Sequence, residues 1–375
     1  MSSILFLVPH PEQDAGYRYR VHQFIPYLEN SGHQCTIKPF STERLYAALR
    51  SRGRFSEKAV HTVFCAARRV KHIAAVSRFD LVVIQREVFP FLTPAMERLV
   101  MWRHPRVVFS FDDAIYAGHG NISEFNHPYL YRLKYSQKID EVIRRSSHVL
   151  AGNRILADYA RRLNPQVTIV PTPVDCEKYQ YREPRGDGVL TVGWMGSRST
   201  APYLGAIEPA LRRLADARPG IRFRFYGFPE YQPNLPNGES LPFRLATEND
   251  DLHSLDIGLM PLPDTVWGRG KCAFKAIQYM ASGVATIASP VGITPELIQH
   301  DVNGLLAAST DDWFSALKKL VGQKDVRVRL SQAARRTIEA SYSLQVWGPR
   351  VAALFEKLLH SEDEVNSPQF AAVNS

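Results

Sequence analysis

The chain has 375 residues, of which 45% are hydrophobic and 22% charged, and its formal net charge is +9. This length exceeds what one hydrophobic core usually supports and suits a globular protein of two domains. No stretch approaches the roughly 18 to 20 apolar residues of a membrane-spanning helix, which argues against an integral membrane protein.

The segment at residues 1–13 is apolar but short, and it lacks the basic flank and cleavage site of a signal peptide. The cysteines Cys35, Cys65, Cys176 and Cys272 are far apart and show no metal-ligand spacing. We therefore expect free thiols and a cytoplasmic protein.

The positive charge calls for an anionic partner, and a nucleotide sugar, an anionic lipid surface or a nucleic acid would each account for it. Between Arg44 and Arg78 the only acidic residue is Glu57, and apolar residues recur there at helical spacing. This basic amphipathic segment, residues 44–78, predicts either peripheral contact with an anionic membrane or a helix face packed on its own domain. No nucleic-acid motif accompanies the charge.

The first half alternates predicted strands and helices, which is the pattern of a doubly wound α/β domain. Strands are predicted at residues 3–8, 35–39, 80–85, 106–111, 148–151 and 167–171. Helices are predicted at residues 18–30, 130–145 and 154–163.

The loop after the first strand, residues 10–16, lies where α/β proteins bind ligands. It lacks the G-x-G-x-x-G fingerprint, which argues against a nicotinamide or flavin enzyme. Gly16, Arg18 and Arg20 are candidate binding residues, because an arginine fork can bind two phosphate oxygens. Pairing of either arginine with a helix acid is the alternative.

Acidic side chains follow two further predicted strands. Glu87 comes after the strand at 80–85, and Asp112 and Asp113 come after the strand at 106–111. The carboxyl ends of parallel strands face one crevice, so these groups are candidates for hydrogen bonds to substrate hydroxyls. Ion pairing is the alternative for Glu87 and Asp112, and the adjacent aspartates lack the spacing of a D-x-D metal site.

Prolines and glycines between Pro171 and Gly188 predict a linker. The predicted units are a first domain at 1–182, a second domain at 188–343, a last helix at 344–360 and a disordered tail at 361–375. Strands of the second domain are predicted at 189–194, 221–227, 256–261 and 284–289, with a long loop at 228–247. Its helices are predicted at 201–217, 271–281, 310–320 and 326–341, with another starting at Pro295.

Two features of the second domain suit an anion. A glycine, hydroxyls and an arginine precede the helix predicted at residue 201, which is typical of an anion cradle. Lys271 and Lys275 are four residues apart on the helix predicted at 271–281, and helix N-termini attract anions. The pattern predicts a phosphate or diphosphate site, with a solvated lysine face as the alternative.

Three segments then follow in a characteristic order, QYMASGVATIA at 278–288, GITPE at 292–296 and DVNGLL at 301–306. They resemble the E-A-M-A-x-G-x-P-V-V-A, G-G-x-x-E and G-x-N-G-x-L segments of family 4 glycosyltransferases, the retaining enzymes of GT-B fold. PTPVDCEKY at 171–179 is similar to that family's P-N-G-V-D-x-x-x-F segment. The resemblance covers nearly all of residues 3–360.

The resemblance implies an α/β protein of GT-B fold, with two Rossmann-like domains facing a central cleft and a last helix crossing back to the first domain. It implies that a sugar moves from a nucleotide diphosphate sugar to a hydroxyl acceptor with retention of configuration, without a bound metal or cofactor. The acceptor is expected to be a glycan or a lipid-linked molecule of cell-envelope or exopolysaccharide assembly.

The same resemblance assigns expected roles. The expected donor-binding residues are Gly16, Gly196, Ser197, Ser199, Thr200, Gln278, Gly292, Ile293 and Glu296. The expected catalytic residues are Lys271, Lys275, Arg198, Glu87 and Asp112, and the expected acceptor-binding residues are Arg18, Arg20 and Asp113.

One departure bears on the sugar. The family has two glutamates eight positions apart where this chain has Gly270 and Gln278. An amide can still bond ribose hydroxyls, but glycine cannot replace a carboxylate. Two alternatives follow, a nucleotide-sugar epimerase of the same fold and a catalytically degenerate subunit that binds and regulates a partner.

Overall fold

The chain divides into two compact units in this computed structural model, which describes residues 1–51, 53–90, 93–117, 138–184 and 188–360. The described part of the first unit is residues 1–117, 138–171 and 347–360, and residues 172–346 contain that of the second. Residues 130–137 of one predicted helix and the predicted tail at 361–375 lie outside the described residues.

The first unit contains a six-stranded, fully parallel sheet in the order β2-β1-β3-β4-β5-β6. Its strands are β1 (Ser3–Val8), β2 (Gln34–Pro39), β3 (Leu81–Gln85), β4 (Val107–Phe111), β5 (His148–Ala151) and β6 (Val167–Ile169). Its helices are α1 (Ala15–Arg20), α2 (Ile25–Asn30), α3 (Glu43–Arg50), α4 (Phe55–Ala74), α5 (Ala95–Arg103), α6 (Lys138–Arg145) and α7 (Arg154–Arg161).

The central strands of this sheet are buried along their whole length. Every residue of β3 and of β4 is buried, because helices cover both faces of a parallel sheet. This explains why continuous apolar runs located these strands correctly in the sequence.

The single helix predicted over residues 18–30 is wrong. Val21 leaves the helical region, with φ −130° and ψ −67°, and a 3₁₀ turn at His22–Phe24 separates α1 from α2. Pro26 lies in the first turn of α2, where its missing N–H costs no helical hydrogen bond.

The second unit contains another six-stranded parallel sheet, in the order β12-β11-β10-β7-β8-β9. Its strands are β7 (Thr191–Met195), β8 (Arg222–Tyr226), β9 (Gly238–Leu241), β10 (Ile257–Met260), β11 (Ala285–Ala288) and β12 (Leu305–Leu306). Its helices are α8 (Glu208–Ala217), α9 (Glu248–His253), α10 (Val266–Arg269), α11 (Phe274–Ser282), α12 (Thr294–Leu297), α13 (Thr310–Gly322) and α14 (Lys324–Ser341).

Two predictions for this unit need correction. Residues 228–247 are not one loop, because they contain the edge strand β9, whose partly exposed GESL sequence lacks an apolar run. The helix predicted at 201–217 is a 3₁₀ segment, Ala201–Ala206, followed by α8, which begins at Glu208 with Pro209 in its first turn.

Residues 172–182, predicted to end the first domain, belong to the second unit. Val174 forms a backbone bridge with Ser343, and Arg335 donates to the carbonyls of Cys176 and Tyr179 at 3.0 and 2.5 Å. The division therefore falls after Pro171.

The last helix, α15 (Leu344–His360), contributes residues 347–360 to the first unit. Phe355 stacks on Phe6 with ring centroids 6.1 Å apart, and Arg106 donates to the Leu359 carbonyl at 2.9 Å. These contacts join the end of the helix to strands and loops of the first sheet.

Candidate functional site

The second sheet reverses its strand order between β7 and β10. Strands β8 and β9 lie beyond β7, whereas β11 and β12 lie beyond β10. In open α/β sheets, ligands bind at such a switch point, outside the carboxyl ends of the two strands. The segments that leave β7 and β10 therefore form the candidate site of this unit.

Two glycines hold the segment after β7 against the end of β8. The Gly196 N–H donates to the Tyr226 carbonyl at 2.9 Å. Gly227 has a φ of +105°, and a Cβ there would lie 1.8 Å from the Gly196 carbonyl oxygen. Only glycine at 227 allows both this backbone conformation and this close approach.

Hydroxyl groups order the turn that follows Gly196. The Ser197 and Ser199 hydroxyls are 2.7 Å apart, and the Thr200 hydroxyl accepts from the Ser197 N–H at 3.3 Å. The Thr200 N–H donates in turn to the Ser197 carbonyl at 3.0 Å. The predicted cradle is thus a preformed turn, and its binding of a donor stays a prediction.

Lys275 lies beside this turn. A Cβ at Gly196 would come within 2.6 Å of the Lys275 Cε, and the Lys275 ammonium is 5.8 Å from the centroid of the Trp194 ring. Lys275 is the second residue of α11, and Ala273, just before that helix, has a left-handed φ of 52°. A non-glycine residue in that conformation costs on the order of 1–3 kcal/mol, and such strain is common at functional sites.

Lys271 is not on the same helix as Lys275, so the single helix predicted over 271–281 is wrong. The chain forms α10, then a short connection with Lys271, and only then α11. The Lys271 ammonium lies 4.5 Å from the centroid of the Trp267 ring. The two lysines are therefore positioned by different segments and not by one helix face.

Arg198, predicted to be catalytic, forms an ion pair. It donates to Glu230 at 2.5 Å, and its guanidinium lies 5.0 Å from the centroid of the Phe228 ring. The Glu230 side chain is 60% exposed, so this pair lies at the surface. The structure therefore directs Arg198 toward the loop after β8.

Gln278, predicted to contact a ribose, is 6% exposed. Its amide group donates to the Tyr179 hydroxyl and to Glu248, each at 3.0 Å. Both amide hydrogens are used inside the unit, and the predicted contact with a ribose stays a prediction. The helical spacing of Gln278 in the sequence does not reveal its partners, because Tyr179 and Glu248 lie in distant segments.

The predicted glycine loop after β11 packs closely on the end of α10. Gly292 has a φ of 64°, and a Cβ there would lie 2.4 Å from the Arg269 carbonyl oxygen. Ile293 is buried, whereas Glu296 is exposed. The pKa of Tyr342 is raised by burial and then by the charges of Glu296 and Cys272, so these side chains are neighbours.

Tyr279 belongs to this site and was not among the residues predicted from the sequence. Its fully buried hydroxyl accepts from the Met195 N–H at 2.7 Å, and burial raises its pKa. A Cβ at Gly258 would lie 2.6 Å from its ring, so this glycine of β10 makes room for it. Tyr279 thereby fixes the end of β7 immediately before Gly196, and the glycine in an apolar strand was the available signal.

In the first unit, the loop after β1 holds itself together. The Asp14 carboxylate accepts from the Tyr17 N–H at 3.3 Å and caps α1. Arg18 donates to the carbonyls of Glu12 and Gln13, both at 2.9 Å. Arg18 therefore closes its own loop, and its binding of an acceptor stays a prediction.

Arg20 lies inside the first unit and is only 6% exposed. It donates to the Val170 carbonyl at 2.5 Å and to the Ser110 hydroxyl at 3.2 Å. It also lines a small internal cavity with apolar side chains such as Phe24 and Phe355. These hydrogen bonds are internal, and the predicted contact of Arg20 with an acceptor stays a prediction.

Glu87 takes part in a buried ion-pair network. The Lys138 ammonium lies 3.6 Å from Glu87 and 2.7 Å from Glu97, and it also donates to the Phe89 carbonyl. All three charged side chains are buried. This is the ion-pairing alternative for Glu87, and its predicted catalytic role stays a prediction.

The two aspartates after β4 are arranged differently. Arg86 lies 3.5 Å from the Asp113 carboxylate, so Asp113 is ion-paired. Asp112 is partly buried, and its Oδ1 atom is shielded from solvent. The predicted catalytic role of Asp112 and acceptor role of Asp113 stay predictions.

Within the part of the chain that the structure describes, no group of three or more His, Cys, Asp or Glu side chains is placed to hold a metal ion. No helix over those same residues has the length and apolar character needed to cross a bilayer. Cys35, Cys65, Cys176 and Cys272 are free thiols.

Comparison with known proteins places these units in context. Residues 188–323 match the family described as "Glycosyl transferases group 1". No curated protein matches the chain in sequence. The family match covers most of the second unit, including Gly196, Lys271, Lys275 and the three segments at 278–288, 292–296 and 301–306.

Several solved structures share the fold of nearly the whole chain. Anabaena HepE in complex with UDP and glucose is 12% identical with a TM-score of 0.68, over 95% of this chain and 100% of that one. Sucrose-phosphate synthase from Thermosynechococcus elongatus is 13% identical with a TM-score of 0.67, over 96% and 99%. A glycosyltransferase from Rickettsia africae is 15% identical with a TM-score of 0.64, over 96% and 99%.

These similarities confirm the predicted GT-B fold of two Rossmann-like domains. Together with the family match, they support a glycosyltransferase.

Proposed function

We propose that the protein transfers a sugar from a nucleotide diphosphate sugar to a hydroxyl acceptor, with retention of configuration. The observation that carries this proposal is the contact between Lys275 and the Gly196 turn at the switch point of the second sheet. A diphosphate there would meet an ammonium group and a preformed turn rich in N–H and hydroxyl groups. Uridine is the base to test first, because HepE was crystallised with UDP.

The proposed reaction is a single displacement on one face of the sugar. The acceptor oxygen bonds to the anomeric carbon while the bond from that carbon to the diphosphate oxygen breaks, and the electron pair leaves with the nucleoside diphosphate. The acceptor proton passes to a diphosphate oxygen on the same face, which retains the configuration. Lys275 and the Gly196 turn stabilise the charge that develops on the leaving group, and such stabilisation is usually the largest catalytic contribution.

The engagement of Glu87 with Lys138 supports transfer without a protein nucleophile. A carboxylate held by a buried ammonium is a poor nucleophile, because attack on the sugar would leave the ammonium without its counter-charge. Gly270 has no carboxylate to replace the family's first glutamate, so in this proposal the contacts to the donor sugar come from other groups.

The test is a thermal-shift screen against UDP, GDP, ADP, TDP and CDP, followed by product analysis with the sugar donor of the best base. A transferase releases the nucleoside diphosphate and transfers the sugar to an acceptor or to water. An epimerase would convert the donor alone into its epimer. Nucleotide binding without turnover over a broad donor panel would instead indicate a binding subunit, and no nucleotide binding would contradict the proposal.

We further propose peripheral contact with the anionic inner face of the cytoplasmic membrane through α4, and a lipid-linked or glycan acceptor of envelope polysaccharide assembly. This helix has its arginines inside: Arg69 donates to the carbonyls of Lys38 and Val8 at 2.9 and 2.8 Å, and Arg68 donates to those of Pro39 and Phe40. Burial and then Arg68 lower the pKa of Arg69 to about 9.

The outer face of α4 is apolar. Val60 and Val63 are 66% and 69% exposed, and Phe64 is exposed beside them. The exposed cation Lys71 lies on the same helix, and exposed Arg54, which pairs with Glu57 at 2.6 Å, lies just before its first residue. Apolar side chains between cations are the arrangement with which interfacial helices bind anionic lipid.

Flotation with phosphatidylglycerol vesicles tests this contact. Replacement of Val60 and Val63 by aspartate should weaken binding by at least about tenfold, because two buried valines are lost and two negative charges are gained. Val302→Asp, at an exposed valine of the second unit, is the control. Equal flotation of all variants would contradict the contact.

A further inference from the structure

Gln85 is a buried glutamine whose amide has no partner among the described residues. It is the last residue of β3 and is 1% exposed, and neither its Nε2 nor its Oε1 forms a hydrogen bond. An amide has two donor hydrogens and an acceptor oxygen, and burying them unpaired is unfavourable. An apolar side chain of similar size would suit a purely internal position better, so the amide requires another explanation.

Gln85 lies at the switch point of the first sheet. β1 and β3 are neighbours, with β2 beyond β1 and β4 beyond β3. The carboxyl ends of such a strand pair are where open α/β sheets bind ligands. Gln85 ends one strand of this pair, and the loop at 10–16 leaves the other.

Gly16 keeps the surface layer over the amide thin. It lies in the first turn of α1 and is partly exposed. A Cβ at Gly16 would come within 3.2 Å of the Gln85 Nε2 and 2.8 Å of the Asp14 carboxylate. The partly exposed Gly16 therefore packs directly against the amide nitrogen without a side chain of its own.

The backbone after Gln85 is strained. Arg86 has a left-handed φ of 64°, and the Glu87 N–H donates to the Gln85 carbonyl at 2.8 Å, which closes a three-residue turn. The Arg86 N–H donates to the Ser110 carbonyl at 2.8 Å and ties the turn to β4. Strain of this kind persists where a fixed side-chain position is useful.

The surroundings select the ligand class. Asp14 lies against Gly16, and Asp113 lies near Arg86. The Asp14 carboxylate near the amide disfavours a phosphate, whereas a sugar hydroxyl can donate to the amide oxygen and accept from the amide nitrogen. We propose that the Gln85 amide binds a sugar hydroxyl, which rests on the proposed function and adds a binding residue in the first unit.

The sugar could be that of the acceptor or that of the donor, and amide NMR separates the two. In ¹⁵N-labelled protein, the Gln85 side-chain signals are those that Gln85→Leu removes. We expect them to shift with methyl α-D-glucopyranoside at about 100 mM, far above the millimolar range of weak complexes. If the signals shift with UDP-glucose but not with the methyl glucoside, the amide binds the donor sugar. The shift with UDP-glucose must then be larger than the shift with UDP alone.

Three outcomes would overturn the inference. If the Gln85 signals shift with neither sugar probe, the amide binds a buried water and no sugar. Equal shifts with UDP and with UDP-glucose would indicate an indirect effect of nucleotide binding. The third is a Gln85→Leu variant that is destabilised as much as Gln278→Leu. Gln278→Leu loses the hydrogen bonds to Tyr179 and Glu248, so equal destabilisation would show that the Gln85 amide also has an internal structural role.

We expect Gln85→Leu to unfold at the wild-type temperature or above, and Gln278→Leu to unfold below it. Gln85→Leu should lower the rate of nucleoside diphosphate release by about tenfold, the effect of one lost substrate hydrogen bond. If wild-type protein binds none of the nucleotides, the proposed function fails. If nucleotides bind and the Gln85 signals do not respond to sugar, only the present inference fails.

Discussion

The segments that leave β1 and β7 hold corresponding places in the two sheets, and they use their polar groups differently. After β1, Arg18 and Arg20 bind backbone carbonyls of their own unit. After β7, glycines and hydroxyls build the turn, and Lys275 reaches it from the next switch-point segment. The comparison shows that a charged loop is not by itself a binding loop, because an internal partner can account for the charge.

A similar contrast holds between two buried groups of the first unit. Glu87 in the first unit was a catalytic candidate, yet its charge is matched by Lys138. Gln85 lies two residues away and was not a candidate, yet its amide has no partner within the described ranges. The presence or absence of an internal partner therefore distinguishes Glu87 from Gln85 better than the chemical type of each side chain does.

The largest expected effect is on the ion-pair network. Lys138→Met should lower the free energy of unfolding by about 3–5 kcal/mol, because it leaves Glu87 and Glu97 buried without their cation. Urea unfolding measures this change. Lys319→Met is the control, because Lys319 pairs with Asp301, whose side chain is 43% exposed, and its loss should cost far less. Equal stability of Lys138→Met and the wild type would show that Glu87 is not structurally engaged.

The next effect is on turnover. Lys275→Ala should lower the rate of nucleoside diphosphate release by about 10²–10³, because it removes a cation that stabilises the leaving group. The unfolding temperature should change little, since Lys275 is only partly buried. Lys318→Ala, at an exposed lysine of α13, is the matched control. A turnover loss shared by both variants would point to a general charge effect and not to the switch point.

Much of the fold could be predicted from the sequence, because parallel strands buried on both faces are continuous apolar runs, as in β3, β4 and β10. Edge strand β9 could not, since its outer groups face solvent and its sequence is GESL. Helix breaks were missed where one backbone angle decides them, as at Val21 and Ala273.

The site was predictable where local sequence determines geometry, and less so where long-range partners do. The Gly196 turn is local, and its glycine and hydroxyls are visible in the sequence. The partner of Arg20, the Val170 carbonyl, lies 150 residues away, and that of Gln278 lies in another segment. Residue type and periodicity identify a polar group but not the distant group that uses its hydrogen bonds.

The smallest expected effect is that of replacing Arg198, which lies in the same turn as Gly196, Ser197 and Thr200. Because Arg198 pairs with the exposed Glu230, its removal should change stability by less than about 1 kcal/mol. By the same reasoning Arg198→Ala should lower nucleoside diphosphate release by no more than about fivefold. Steady-state assays of Arg198→Ala and Glu230→Ala side by side measure this. If Arg198 instead binds the diphosphate and Glu230 competes for it, Glu230→Ala should raise nucleotide affinity while Arg198→Ala abolishes turnover. That pair of results would make Arg198 an equal partner of Lys275 and overturn its present assignment to the loop after β8.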